Sequence, residues 1–339
     1  MLGLYRFILA LNVALFHLFD AAAIGPYAVF SFFILSGFLM TLIMHQSYGY
    51  SKSGLKKYLI NRGLRLFPVY WALLIVTISI VILVGKENAA TFHSAMTIPN
   101  TISEWLSNIF LMFIGEYPID VTPRLAPATW ALSIELFFYL LIGLGISKTR
   151  KLSLLWLSIS VLYAIYFNFT EHLGLGYGSL LSASLPFAMG ACTYHYKEAI
   201  YEMITSSKLQ IILVTCFVAN LLIATNGHLI VQTSEAWKLG FICRLANLIL
   251  SLFMTVLLFK HDKALNNTFT RLLGDMSYPV YIFHWAGALL TAYLLNSGYN
   301  KPLSIWVFLL GLILTLVISL ITDRLIATPV EILRKRIKS

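Results

Sequence analysis

Arg6 and His17 stand eleven residues apart in the apolar run Leu4–Asp20. At 100° per residue they return to within about 20° of one helix face, shared with Val13 and Asp20, and lie about 16 Å apart along the axis. A charge at mid-membrane costs about 2.5–3.5 kcal/mol even on insertion scales, so each such residue needs a reason. An imidazole can take the proton of a hydroxyl or carry an acyl group, and a guanidinium can hold an anion. Singly, Arg6 also reads as a snorkelling anchor and His17 as a hydrogen-bonded packing residue. Their common face favours a stripe turned towards protein or water.

Glu135 falls in Trp130-Ala131-Leu132-Ser133-Ile134-Glu135, within a second apolar run that also contains two polar groups. Counted from the outer end it lies about 10 Å deep, comparable with His17. A carboxylate there can orient a histidine or stabilise its imidazolium; it can equally pair with Arg244. Arg62 and Arg65, one turn apart before Pro68, join Lys56 and Lys57 in a basic cluster. That cluster suits anionic headgroups, or a bidentate clamp on a phosphorylated ligand. The run from Ser277 through Tyr278 and Tyr281 to His284 adds polar and aromatic groups, which an interfacial belt would also explain.

The elements that must position these residues are membrane helices. Of 339 residues, 59% are apolar and 11% charged, against about 25% charged in a soluble domain. That excludes a cytosolic enzyme and intrinsic disorder. The expected fold is all-α, a polytopic bundle of about ten spans. These lie near Leu4–Asp20, Pro26–His45, Pro68–Gly85, Ala128–Ser147, Leu152–Asn168, Gly178–Tyr194, Leu209–Asn226, Leu239–Phe259, Leu272–Leu295 and Leu303–Thr322. Glu104–Gly115 is too short to cross and is expected to be interfacial or re-entrant.

Loops 46–67, 148–151, 195–208 and 260–271, with the tail after Thr322, hold 18 of the 24 lysines and arginines. The alternate loops hold only Lys86, Arg124, Lys238 and Lys301. Both termini are therefore expected in the cytoplasm, and an eleventh span would destroy the asymmetry. The net charge of +10 follows from this topology and points to membrane lipids, not nucleic acid. One domain is expected over 1–339, with an outer loop at 86–127 and a basic tail at 323–339. Ala21-Ala22-Ala23 resembles a leader cleavage site, but His17 and the span count favour retention of the first helix. Cys192, Cys216 and Cys243 form no metal or redox pattern and read as packing residues. The glycines around Gly174–Gly178 lack a phosphate-loop ending and read as a turn. No group of side chains has metal-ligand spacing.

Taken in order, these residues resemble the acyltransferase-3 family of bacterial integral membrane acyltransferases over nearly the whole chain. Arg6 and His17 are similar to its Arg-x10-His signature, and Phe30-Ser-Phe-Phe-Ile-Leu-Ser36-Gly37-Phe38 to its second helix. Arg62-Gly-Leu-Arg65 with Pro68 and Tyr70 resembles its Arg-x-x-Arg motif. Trp130 to Glu135 resembles its Trp-Ser-Leu-x-x-Glu motif, and Ser277-Tyr278 to His284 its late Ser-Tyr motif. The chain departs from the pattern at Ala28-Val29-Phe30-Ser31 before the second-helix motif and at Ala131, where serine is common. It carries no appended hydrolase-like domain, so the membrane unit itself is expected to do the chemistry.

The resemblance implies transfer of an acyl group, most often acetyl, from cytosolic acyl-CoA to a hydroxyl of a surface polysaccharide or lipid-linked sugar in the bacterial inner membrane. Acetyl-CoA would be a co-substrate, with no resident cofactor or metal. His17 would be the general base, helped by Glu135, or would carry the acyl group. Arg62 and Arg65 would hold the CoA phosphates, while Arg6, Ser133, Trp130 and Tyr278 would line the substrate path. The rival reading is a transporter or flippase, since intramembrane charges also mark transport paths. A catalytically dead accessory subunit is a third, against which the intact Arg6, His17, Arg62, Arg65 and Glu135 argue.

Overall fold

The computed structural model describes residues 1–19, 24–170, 176–230, 236–262, 267–301 and 303–338. Asp20, Ala21-Ala22-Ala23, Gly174 and Lys263 lie outside the described residues. Among the described residues the protein is all-helical. The first half comprises α1 (Leu2–Phe19), α2 (Ile24–Ile43), α3 (Lys52–Val84), the short α4 (Lys86–Phe92) and α5 (Ile102–Phe110), α6 (Trp130–Leu144) and α7 (Arg150–Thr170). The second comprises α8 (Ser184–Glu202), α9 (Ser207–Ile230), α10 (Ala236–Lys260), α11 (Thr268–Leu294), α12 (Ile305–Thr322) and α13 (Thr328–Lys338).

The long helices follow the expected runs. Eight stretches among the described residues are long and apolar enough to cross a membrane. Helices α8 and α11 overlap the other two expected spans but carry more polar residues. For α11 the reason is its place: from Gly274 to Ala292 nearly every side chain is buried against α1, α3 or α12, so it needs little lipid-compatible surface. The lipid-compatible surface lies on α7, α9 and α12, whose Leu155, Leu162, Ile211, Ile212, Trp306 and Ile313 are exposed. Helix α3 begins sixteen residues before Pro68 and runs through it, although proline removes one backbone donor. Arg62 and Arg65 therefore stand on its first half, not in a loop.

Small residues set two helix contacts. A Cβ on Gly274 of α11 would stand 2.6 Å from the Cα of Gly3 on α1, so these helices touch backbone to backbone. A Cβ on Gly37 of α2 would stand 2.2 Å from the Phe187 carbonyl oxygen, and one on Gly190 would stand 2.0 Å from that of Ile34, both in the α2–α8 contact. Close approach through small residues is how membrane helices gain packing without a hydrophobic drive. Cys192 and Cys243 are buried as expected of packing residues, but Cys216 is exposed. Gly176 and Gly178 have φ of 58° and 89°, left-handed values that suit glycine at the turn read there.

Hydrogen bonds tie the basic connections into one end of the bundle. His45 Nε2 meets the Lys148 carbonyl at 3.0 Å, and His195 Nε2 meets that of Ser147 at 2.9 Å. Lys260 donates to Glu198, and the amino terminus donates to Asp262 at 2.9 Å. These contacts gather three of the loops that the charge count placed together, with the amino terminus and His45 at the edge of a fourth loop, and we call this the basic end.

The loop 86–127 does not simply cap the opposite end. Tyr70 donates its hydroxyl to the Asn108 carbonyl on α5, and Trp71 Nε1 donates to that of Ile109 at 2.9 Å. Tyr70 is fourteen residues from the end of α3, about 20 Å at 1.5 Å per residue. The chain thus descends beside α3 before turning into α6. Arg124, buried, fixes the turn by donating Nε to the Pro127 carbonyl at 3.1 Å and Nη1 to that of Val121. Tyr281, near the middle of α11, donates to the Ala128 carbonyl at 2.9 Å, so α6 starts half-way down the bundle.

Candidate active site

That low start moves Glu135. Read from the sequence, it shared the depth of His17; in the structure it sits beside Ser36, twelve residues into α2. Ser36 donates to Glu135 Oε1 at 2.7 Å, and Tyr139 donates to Oε2 at 2.9 Å. Arg6 and Arg65 are its electrostatic partners. Arg244 lies elsewhere, acting on Tyr27. Glu135 therefore neither orients His17 nor pairs with Arg244.

Around it lies a cavity of about 310 Å³ walled by α1, α2, α3, α6, α11 and α13, within the range of small-molecule sites. Four of its lining residues are arginines (Arg6, Arg62, Arg65 and Arg334), against one carboxylate, Glu135. Ser36, Ser277, Tyr139, Tyr278 and Tyr281 add hydroxyls, and the remainder is apolar, much of it from α2. Tyr278 of α11 donates to the Leu66 carbonyl of α3 at 3.1 Å. Arg62 is buried, donates Nη2 to Asn61 Oδ1 at 3.0 Å, and has no hydrogen-bond partner for Nε. A concave wall with guanidinium excess and apolar depth suits an anionic group at its mouth and an apolar or amide chain within.

His17 is absent from this cavity. It lies towards the opposite end, on the α1 face that begins at Arg6, with its ring stacked on that of His284 (centroids 5.4 Å apart, planes at 17°). Trp285 stands 5.1 Å away, and His93 and Lys301 pack on the Trp285 ring at 4.5 and 4.9 Å. His284 is fully buried. Its Nδ1 lies 2.9 Å from the Tyr281 carbonyl, which can only accept, so Nδ1 carries the proton and Nε2 is an acceptor without a partner. His93 Nδ1 accepts from the Ala95 amide at 3.1 Å. Its burial, with the like charges of Arg124 and Lys301, pushes it down to about 4, so it is neutral.

Two residues expected in the substrate path lie outside the cavity wall. Trp130 is buried edge-on against Tyr177, with centroids 5.1 Å apart. Ser133 accepts from the Phe113 amide at 3.1 Å, holding the descending loop against α6. Sequence reasoning gave no role to Arg334 and named His284 only as the end of a motif. Position on the face shared with Tyr281, one turn earlier, was the signal available for His284.

A family profile described as an acyltransferase domain matches residues 2–324. The chain belongs to the acyltransferase-3 family. No curated protein and no solved structure matches it. The protein is thus a membrane acyltransferase, and acyltransferase-3 membership decides against the transport reading that its buried charges had left open. Among the described residues no group of side chains has the arrangement to hold a metal ion.

Proposed function

We propose that this acyltransferase-3 protein moves an acyl group, acetyl in the first instance, from cytosolic acyl-CoA to a hydroxyl of a cell-envelope polysaccharide or lipid-linked sugar, in the bacterial inner membrane with both termini cytoplasmic. The observation that carries this reading is the guanidinium-lined cavity at the basic end, joined along one face of α1 to the histidine cluster around His17. Arg62 and Arg65 take the CoA phosphates, and the pantetheine arm runs past Arg6 and Tyr278 towards His17. Glu135, held by Ser36 and Tyr139, acts electrostatically on Arg6 and Arg65 and is a positioning residue.

At the far end the acceptor oxygen attacks the thioester carbon, forming the C–O bond as the C–S bond breaks. His17 takes the hydroxyl proton and returns it to the departing thiolate. Base catalysis by a positioned histidine contributes about 10²–10⁴-fold. In the alternative relay His17 carries the acyl group between donor and acceptor.

The test uses purified protein with acetyl-CoA labelled in its acetyl group, with and without envelope glycolipid. Release of CoA with label on the glycolipid by wild type, and loss of both in His17→Ala, supports the reading. Label trapped on His17 in the absence of acceptor selects the relay. Folded wild type that neither binds donor nor releases CoA overturns the assignment of acyl-CoA.

A further inference from the structure

The last helix carries a group that the donor site lacks on the family-matched residues alone. Helix α13 begins at Thr328, beyond the matched stretch 2–324. It packs on α3 and sends Arg334 into the cavity wall. The hub is Asn61, which is buried. Its Oδ1 accepts from Arg334 Nη2 at 3.0 Å, from Arg334 Nε at 3.2 Å and from Arg62 Nη2 at 3.0 Å. Its Nδ2 donates back to the Arg334 carbonyl at 3.1 Å.

One neutral amide oxygen therefore holds two guanidinium groups from opposite ends of the chain. It can satisfy donors, but it cannot neutralise two charges, and Arg65 adds a third that acts on both. The countercharge on α13 is Glu331, which accepts from Arg334 Nη1 and is itself 47% exposed. Arg62 Nε stays buried and without a partner. Three guanidinium groups around an unfilled donor call for a ligand carrying more than one negative charge. A carboxylate on an exposed helical turn can yield its place to that ligand.

We propose that Arg334 completes, with Arg62 and Arg65, a three-guanidinium clamp for the polyphosphate of the acyl donor, so that α13 is a working wall of the donor site. This rests on the acyl-CoA reading above. Glu331 holds Arg334 by its Nη1 and competes with phosphate for it.

The experiment compares two donors in neutral detergent: acetyl-CoA, and S-acetylpantetheine, which has the same thioester arm and no phosphate. For Arg334→Gln, kcat/KM with acetyl-CoA is expected to fall about 10–100-fold, the worth of a charge-assisted hydrogen bond, while kcat/KM with S-acetylpantetheine is unchanged. Glu331→Gln is expected to lower KM for acetyl-CoA several-fold, a gain that a merely structural α13 would not give. An equal fall on both donors in Arg334→Gln, or no fall with acetyl-CoA, overturns the proposal. So does a difference that appears only when phosphatidylglycerol is added, which assigns the site to lipid headgroups. Wild type that uses S-acetylpantetheine as well as acetyl-CoA overturns the donor reading itself.

Discussion

Ser36 of α2 donates its hydroxyl to Glu135 of α6 at 2.7 Å, fixing the one carboxylate in a cavity whose other charged lining residues are arginines. Tyr139, one turn further along α6, occupies the second oxygen at 2.9 Å. Glu135→Gln should therefore lower acyl transfer more than Ser36→Ala. The serine change removes one hydrogen bond to a charged group, worth about 1.5–3 kcal/mol and so about 10–100-fold. Initial rates with acetyl-CoA, alongside thermal unfolding in detergent to confirm folding, check the order.

Helix contact by glycine makes a stability prediction independent of chemistry. Gly37→Ala would place a methyl 2.2 Å from the Phe187 carbonyl oxygen, on the backbone of α8, which cannot swing aside. Overpacking of this kind costs about 1–3 kcal/mol. Gly298→Ala, with nothing within 4 Å, is the control. The Gly37 variant should unfold at a lower temperature, and the Gly298 variant should match wild type.

Arg124 is buried, and its guanidinium donates to the loop carbonyls of Pro118, Val121 and Pro127. Arg124→Met keeps the volume but leaves those carbonyls without donors, at about 1–3 kcal/mol for each buried group left unpaired. Because the same turn sets the depth of α6, activity should fall with stability. Hydrogen exchange at Asn108 and Leu125, whose side chain and amide bond each other, should rise.

The outer cover also titrates. His93 is pushed from 6.5 down to about 4, mainly by burial. Between those values the unfolded loop binds a proton that the folded loop excludes, so stability rises with pH across the window. It is complete above about 6.5 and is lost as pH falls towards 4. His93→Gln should flatten the thermal midpoint between pH 6.5 and 4 while leaving it near wild type at pH 7.5.

The bundle was legible because apolar run length and loop charge are one-dimensional properties. Depth was not. Counting from the loop gives Glu135 the depth of His17, but the loop itself descends, held by Arg124 and by Tyr281 on Ala128. Nothing in the spacing of Glu135 announces that. Arg62 and Arg65 were legible as an anion site by type and spacing, whereas Arg334 was read only as a topology signal. Its partner Asn61 lies 273 residues away in sequence, beyond any local pattern. Trp130 and Ser133 share a motif with Glu135, but helical geometry turns them to Tyr177 and Phe113, away from the cavity.

Titration calorimetry with acetyl-CoA tests most directly whether donor binding and acyl transfer occupy two places linked by α1. His17→Ala should bind acetyl-CoA as wild type does and transfer nothing, whereas Arg62→Gln should lose binding by about 10-fold or more. If His17→Ala loses donor binding as Arg62→Gln does, or if Arg62→Gln binds like wild type, the two-place account is wrong.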